Sequence, residues 1–85
     1  MSNRRSEWNA FAYKVGQHID EYTVPQYGDL PLDQLTEYSF GDCVTQMKKY
    51  CNRAGTSVRG KEEASRDMLK VAHYACVAYN KFMEG

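Results

Sequence analysis

The chain is poor in the features that would fix a compartment or a chemistry by inspection. Its three cysteines are odd in number and none forms a CxxC pair, which argues against a disulfide framework. No apolar run approaches the roughly 18 residues of a membrane span. The opening MSNRRSEWNAF has basic residues but no apolar core of a signal peptide behind them. The expectation is a cytoplasmic protein with three reduced thiols and no membrane partner. Net charge is also lacking: 11 basic side chains face 11 acidic ones, so no global field steers the chain to nucleic acid or a membrane surface. Only two prolines occur, Pro25 and Pro31. There is no internal repeat, and no alternating pattern supports a strand.

What is present is helix-forming and aromatic. The 85 residues are 42% hydrophobic and include seven tyrosines, a composition that folds and that suits half-buried positions and interfaces. A chain of this length makes one domain with a thin core, and oligomerisation is a common source of the missing stability. The charges are unevenly placed. Residues 1–42 hold three basic and seven acidic side chains, and residues 43–85 hold eight basic and four acidic, so the halves carry −4 and +4.

The periodicity predicts an all-α fold with three main helices. After a frayed lead over residues 1–5, Ser6 is placed to cap a first helix over 7–22. Its apolar face is Trp8, Phe11, Val15, Ile19 and Tyr22. Gly16 within it suggests close approach by a neighbouring helix. Thr23 and Val24 are expected to leave the helical region ahead of Pro25. A short helical turn follows around 30–36, capped by Asp29, with Leu30, Leu32 and Leu35 as an apolar lid. Ser39 and Asp42 make a capping-box-like start for a second helix over 40–54, which Gly55 should end in the left-handed conformation. The third helix, residues 61–83, is the expected central spine. Ala64, Met68, Val71, Ala75, Ala78 and Phe82 recur at 4-3-4-3-4, with a second stripe at Leu69, Ala72, Cys76, Tyr79 and Met83. Two adjacent stripes imply more than one neighbour, in this chain or in a partner subunit. Trp8, Phe11, Val15, Met68, Val71, Ala75, Tyr79 and Phe82 are therefore core or interface candidates, with a homodimer as the default assembly.

Two clusters have the residue types for chemistry. Glu63, Asp67, Lys70 and Tyr74 share one shoulder of the third helix, with Arg66 and His73 beside it. Carboxylates at i and i+4 suit Mg²⁺, which takes oxygen ligands, and the same residues also make an ordinary charge ladder. Arg53, Arg59 and Lys61 surround the loop GTSVRG, near the amides that open the third helix, and form an anion cradle by position. With Lys70 they are the candidate phosphate-binding set. Lys48 and Lys49 extend this basic stretch, which makes nucleic-acid binding through residues 48–61 a further reading. His18 reads as a boundary residue beside Ile19 and Val15, and His73 as packed or hydrogen-bonded.

The stretch YSFGDCVTQMKKYCNRAGTSVRGKEEASRDMLKVAHYACVAYNKF resembles short phage and prophage proteins of unassigned role. These carry a helix ending KY-x-x-R-x-G, followed by E-x-x-x-D-[ML]-L-K-x-A-H-Y-A. More distantly it resembles the all-α nucleoside triphosphate pyrophosphohydrolases of the MazG and dimeric dUTPase type. The nearer resemblance implies a small protein of phage or prophage type. The more distant one implies an obligate helical dimer or tetramer holding Mg²⁺ on paired carboxylates. In that family E-x-x-E on an early helix faces E-x-x-D on a later one. Here Glu63 and Asp67 are one residue too far apart for the later pair, and near its end helix 1 offers only Asp20 and Glu21, with Gln17 one turn back. The leading expectation is a cytoplasmic homo-oligomer that acts through protein–protein interaction. A Mg²⁺-dependent nucleotide-binding or pyrophosphohydrolase-like protein is the alternative.

Overall fold

Ser2 begins the first helix, by accepting the Arg5 amide on its Oγ at 3.1 Å. In the computed structural model, which describes residues 2–29, 34–56 and 60–84, helix α1 spans Asn3–His18. It therefore starts four residues before the expected position. Ser6, the expected cap, lies inside the helix and turns its hydroxyl onto the Ser2 carbonyl. Positions 3–5 are helical rather than frayed.

The other end departs further from expectation. The helix does not stop before Pro25 but widens into a π-turn, Ile19–Thr23, and continues as α2, Val24–Tyr27. Thr23 and Val24 keep right-handed helical angles. A proline inside an α-helix lacks its N–H and presses its ring on the carbonyl four residues back. The π-turn moves the register by one, with the Val24 amide on the Ile19 carbonyl, so that Pro25 stands in the first turn of a new segment, where proline is tolerated. Gly28 ends this segment at φ +97°, its amide 2.8 Å from the Val24 carbonyl.

A 3₁₀ turn over Gln34–Glu37 precedes α3, Phe40–Thr56. Leu35 of this turn is buried, while Leu30 and Leu32 of the expected lid lie outside the described residues. The capping box forms as read: Ser39 Oγ accepts the Asp42 amide at 3.0 Å and Asp42 accepts the Ser39 amide at 2.9 Å. Gly55 does not terminate α3. It stays helical, and Thr56 bonds its hydroxyl back to the Asn52 carbonyl. The left-handed position falls instead on Gly60, φ +98°, directly ahead of α4, Lys61–Glu84.

Three main helices and the short 3₁₀ turn thus make an all-α fold, with α4 as the spine and its long packing against α3 as the principal contact. The core is small and rich in tyrosine. Cys43 and Tyr50 of α3 meet Tyr74 and Ala78 of α4, with Leu35 beneath them. Tyr74 lies between two near-parallel rings, Tyr38 at 6.2 Å and Tyr50 at 6.0 Å. Such offset ring pairs add to plain area burial. α1 meets α4 through its last turn, where His18 is buried, whereas residues 2–10 are exposed along their whole length.

The rotation of α4 about its axis is the main surprise of the packing. Of the seam expected to face inward, Ala78 is buried and Val71 half-buried, but Met68, Ala75 and Phe82 are exposed. The inward line runs Asp67, Tyr74, Ala78. The shoulder that looked polar in the sequence is the face that packs on α3.

Candidate functional site

Asp67 sits at the centre of that packed face, 0% exposed. α3 supplies its partner: Arg53 Nη2 reaches Asp67 Oδ1 at 2.6 Å, and Nε reaches Oδ2 at 3.2 Å. This two-pronged contact is the strong form of a carboxylate–guanidinium pair. The carboxylate in turn holds the guanidinium charged, pushing its pKa further up, chiefly through the hydrogen bond. Lys70 Nζ lies 3.9 Å from the same carboxylate. The Tyr50 ring closes the cluster. Arg53 Cζ is 4.8 Å from its centroid, Lys70 Nζ 4.9 Å and Lys49 Nζ 5.0 Å, all within cation–π range.

One turn earlier, Glu63 binds Arg66 at 2.6 Å across i,i+3 on a half-exposed surface. Both carboxylates proposed for Mg²⁺ are therefore engaged by guanidinium groups. Among the described residues no group of three or more His, Cys, Asp or Glu stands close enough to hold a metal ion. A Mg²⁺ ion needs anionic oxygens open to it and usually keeps several waters. A sealed carboxylate already bridged by an arginine does not fit that donor set.

The candidate phosphate-binding residues separate. Arg53 is committed to Asp67, Lys61 is exposed at the start of α4, and Arg59 lies outside the described residues. Lys70 belongs to a different place, a cleft between the π-turn and α4. This cleft encloses about 350 Å³. Its α4 wall presents Arg66, Lys70 and His73, spaced i, i+4, i+7 on one stripe. Its opposite wall carries His18 and Tyr22, whose rings stack at 5.2 Å with 29° between planes. Tyr27, Tyr50 and Tyr74 complete it on the core side. Tyr27 hydrogen-bonds Tyr74, whose hydroxyl is pushed well above its ordinary pKa, by burial first and by this bond second. His18 is only 6% exposed. Its pKa is lowered first by burial and then by the charges of Lys70 and Arg66, against a smaller opposite pull from Glu21.

Sequence reasoning brought Glu63, Asp67, Lys70 and Tyr74 to one line, and they share it. It did not find the cleft. His18 is buried rather than at a boundary, and Arg66 faces it from a helix 48 positions away in the chain. The signal available was the pairing of a histidine with a proline seven residues on. Together these forecast a widened turn only once the helix is known to continue through Pro25.

A second face is apolar and open. Along the outer side of α4, Met68, Ala75, Tyr79, Phe82 and Met83 are exposed, Tyr79 by 64% and Phe82 by 71%. Phe40 at the start of α3 joins this end, its ring 5.6 Å from that of Phe82. On the projecting turns of α1, Trp8 is 58% exposed, its ring tilted at 53° to that of Phe11 and 5.7 Å from it. Val15 is half-buried one turn further on. No helix among the described residues is long and apolar enough to cross a membrane. No family model matches the chain, and no curated protein and no solved structure matches it either.

Proposed function

We propose that this chain is a self-associating helical interaction protein whose working form is a homodimer joined along the outer face of α4. The observation that carries this reading is the stripe Met68–Ala72–Ala75–Tyr79–Phe82, spaced 4-3-4-3, which stays largely outside the core. It has the period of a helix–helix seam, and its sizes are self-complementary. Small Ala72 and Ala75 lie at the middle and large Met68, Tyr79 and Phe82 at the ends. Two copies crossing antiparallel at Ala75 bring Met68 of one against Phe82 of the other, seven residues either side of the axis. That is the pattern a two-fold interface requires. At 1.5 Å per residue the stripe is about 21 Å long, enough with Phe40 and Met83 to seed an interface of the ordinary size, ~800 Å² per partner.

The resemblance of residues 38–82 to short phage and prophage proteins supports a host-cell cytoplasmic setting, as do the free thiols of Cys43, Cys51 and Cys76. The sealed state of Asp67 favours this interaction role over a Mg²⁺-dependent pyrophosphohydrolase. Analytical ultracentrifugation tests the reading. The wild-type chain sediments as a dimer at micromolar concentration, and Tyr79→Glu or Phe82→Glu sediments as a folded monomer, because both side chains are exposed in the single chain. A wild-type monomer at ~100 µM, or glutamate variants that remain dimeric, overturns it.

A further inference from the structure

The cleft between the π-turn and α4 plays no part in the outer seam, and its chemistry is specific. Of the described residues that line it, none carries a carboxylate, while four are basic: Arg66, Lys70, His18 and His73. Glu63 meets Arg66, and Asp67 meets Arg53 and, at 3.9 Å, Lys70, but neither acid contributes to the cleft wall. A second hollow, among the described residues, is unlike it, being lined by Asp29 and Glu84 among others. Flat rings form most of the remainder of the first cleft, with Tyr22 stacked on His18 and Tyr27, Tyr50 and Tyr74 on the core side, beside Thr23, Gln26 and Leu35. Its 350 Å³ falls at the lower end of the ~300–1,000 Å³ range of small-molecule sites. The wall itself is irregular helix, and π-turns occur disproportionately at functional sites.

We propose that this cleft binds a small aromatic anion, a planar ring carrying a phosphate or a carboxylate group. The charged group pairs with Arg66 and Lys70, whose donors suit either anion, and the ring stacks among the tyrosines and His18. Ring and charge are recognised together, because neither the cations nor the aromatic faces alone fill the space. His18 reports the event. Around it stand Lys70 and Arg66 from α4, with His73 beside them, and Tyr22 and Glu21 from its own segment. A bound anion offsets the two cations, so His18 takes up a proton more readily when the site is filled.

NMR on the full chain tests this with phenyl phosphate, adenosine monophosphate and benzoate as ring-bearing anions. Phenol, adenosine and inorganic phosphate are the single-feature controls. The expected result is that at least one ring-bearing anion binds ten-fold or more tightly than its matching controls. It shifts the His18, Tyr22 and Tyr74 ring signals and raises the His18 pKa. A preference among the three probes tells phosphate from carboxylate. Arg66→Gln and Lys70→Gln each weaken binding five-fold or more. Arg66 lies on a half-exposed surface, so its variant folds even if the loss of Lys70 beside Asp67 proves harmful, and unchanged melting curves confirm it. No shift of the His18 or Tyr22 rings with any anion at millimolar concentration overturns the proposal. Equal binding of an uncharged ring or of free phosphate overturns it too, as does full affinity in Arg66→Gln.

Discussion

Asp67 is a fully buried carboxylate whose charge is met by a guanidinium from another helix. Its place on a line with Glu63, Lys70 and Tyr74 follows from helical spacing alone, and the structure keeps that line. Its direction depends on Arg53, fourteen positions earlier on another helix, and no periodicity within α4 reports a partner on α3. A buried carboxylate with a two-pronged arginine gives little net stability, yet it is costly to break from one side. Because the Arg53 side chain is 36% exposed and its truncation lets water reach Asp67, Arg53→Ala is expected to lower unfolding free energy by about 1–3 kcal/mol, below the cost of breaking a fully buried pair, measured by urea denaturation. The double variant Arg53→Met/Asp67→Leu is expected to lie near wild type or above it. If the single and double variants lose the same amount, the pair is not the source of the cost. Gly16 makes a second, independent case. Its sequence suggested a close helix neighbour, but a Cβ built there meets nothing within 4 Å and its φ is not positive. Gly16→Ala should then stabilise the chain by about 0.5–1 kcal/mol through helix propensity, seen as a higher melting temperature.

At the scale of elements, the helices were legible and several of their ends were not. The Ser39–Asp42 capping box could be read because both partners are local, three residues apart, and both bonds form. The first helix was misread at Pro25 because the local rule, that a residue before proline avoids α geometry, met a tertiary demand. Thr23 is buried and Tyr27 packs on the core, so ending the helix at Tyr22 would forfeit those contacts. The π-turn reconciles the two. Gly55 was misread for a related reason, since the chain had a second glycine, Gly60, five residues on to take the left-handed turn. The capping box also carries a pH dependence whose sign is fixed. The Asp42 pKa is lowered, first by the Ser39 amide and then by its hydroxyl. Its contribution is therefore complete above the unfolded aspartate value, ~3.9, and is lost as pH falls through the lower folded value. Asp42→Ala removes the carboxylate that accepts the Ser39 amide, so its stability deficit relative to wild type, followed by circular dichroism, is largest at neutral pH and shrinks as Asp42 of the wild type protonates below pH ~4. A deficit that stays constant down to pH 2 would mean that the reciprocal bond does not matter.

For the molecule as a whole, the distribution of apolar surface is the telling quantity. The sequence predicted two apolar stripes on the last helix and left open whether both served one chain. Tyr50, Tyr74, Cys43, Ala78 and Leu35 make the core of the described residues, while Trp8, Tyr13, Tyr79, Phe82 and Met83 are more than half exposed. A core this small in 85 residues gives marginal stability, and the projecting turns of α1 are shorter than an isolated helix needs to persist in water. The proposed association along α4 would add to that stability, because dimerisation is linked to the folding of each chain. A direct consequence is that stability depends on protein concentration. Ten-fold more protein favours the folded dimer by about 1.4 kcal/mol. For 170 residues melting as a unit, each kcal/mol corresponds to about 2–4 °C. The melting temperature should therefore rise by about 3–6 °C for each ten-fold increase in concentration between 2 and ~200 µM. Tyr79→Glu removes the slope, and its melting point lies at or below the low-concentration wild-type value. Ala75→Leu, which puts bulk at the two-fold axis but leaves the single chain untouched, should flatten the slope in the same way. A wild-type melting point constant over that range overturns the dimer.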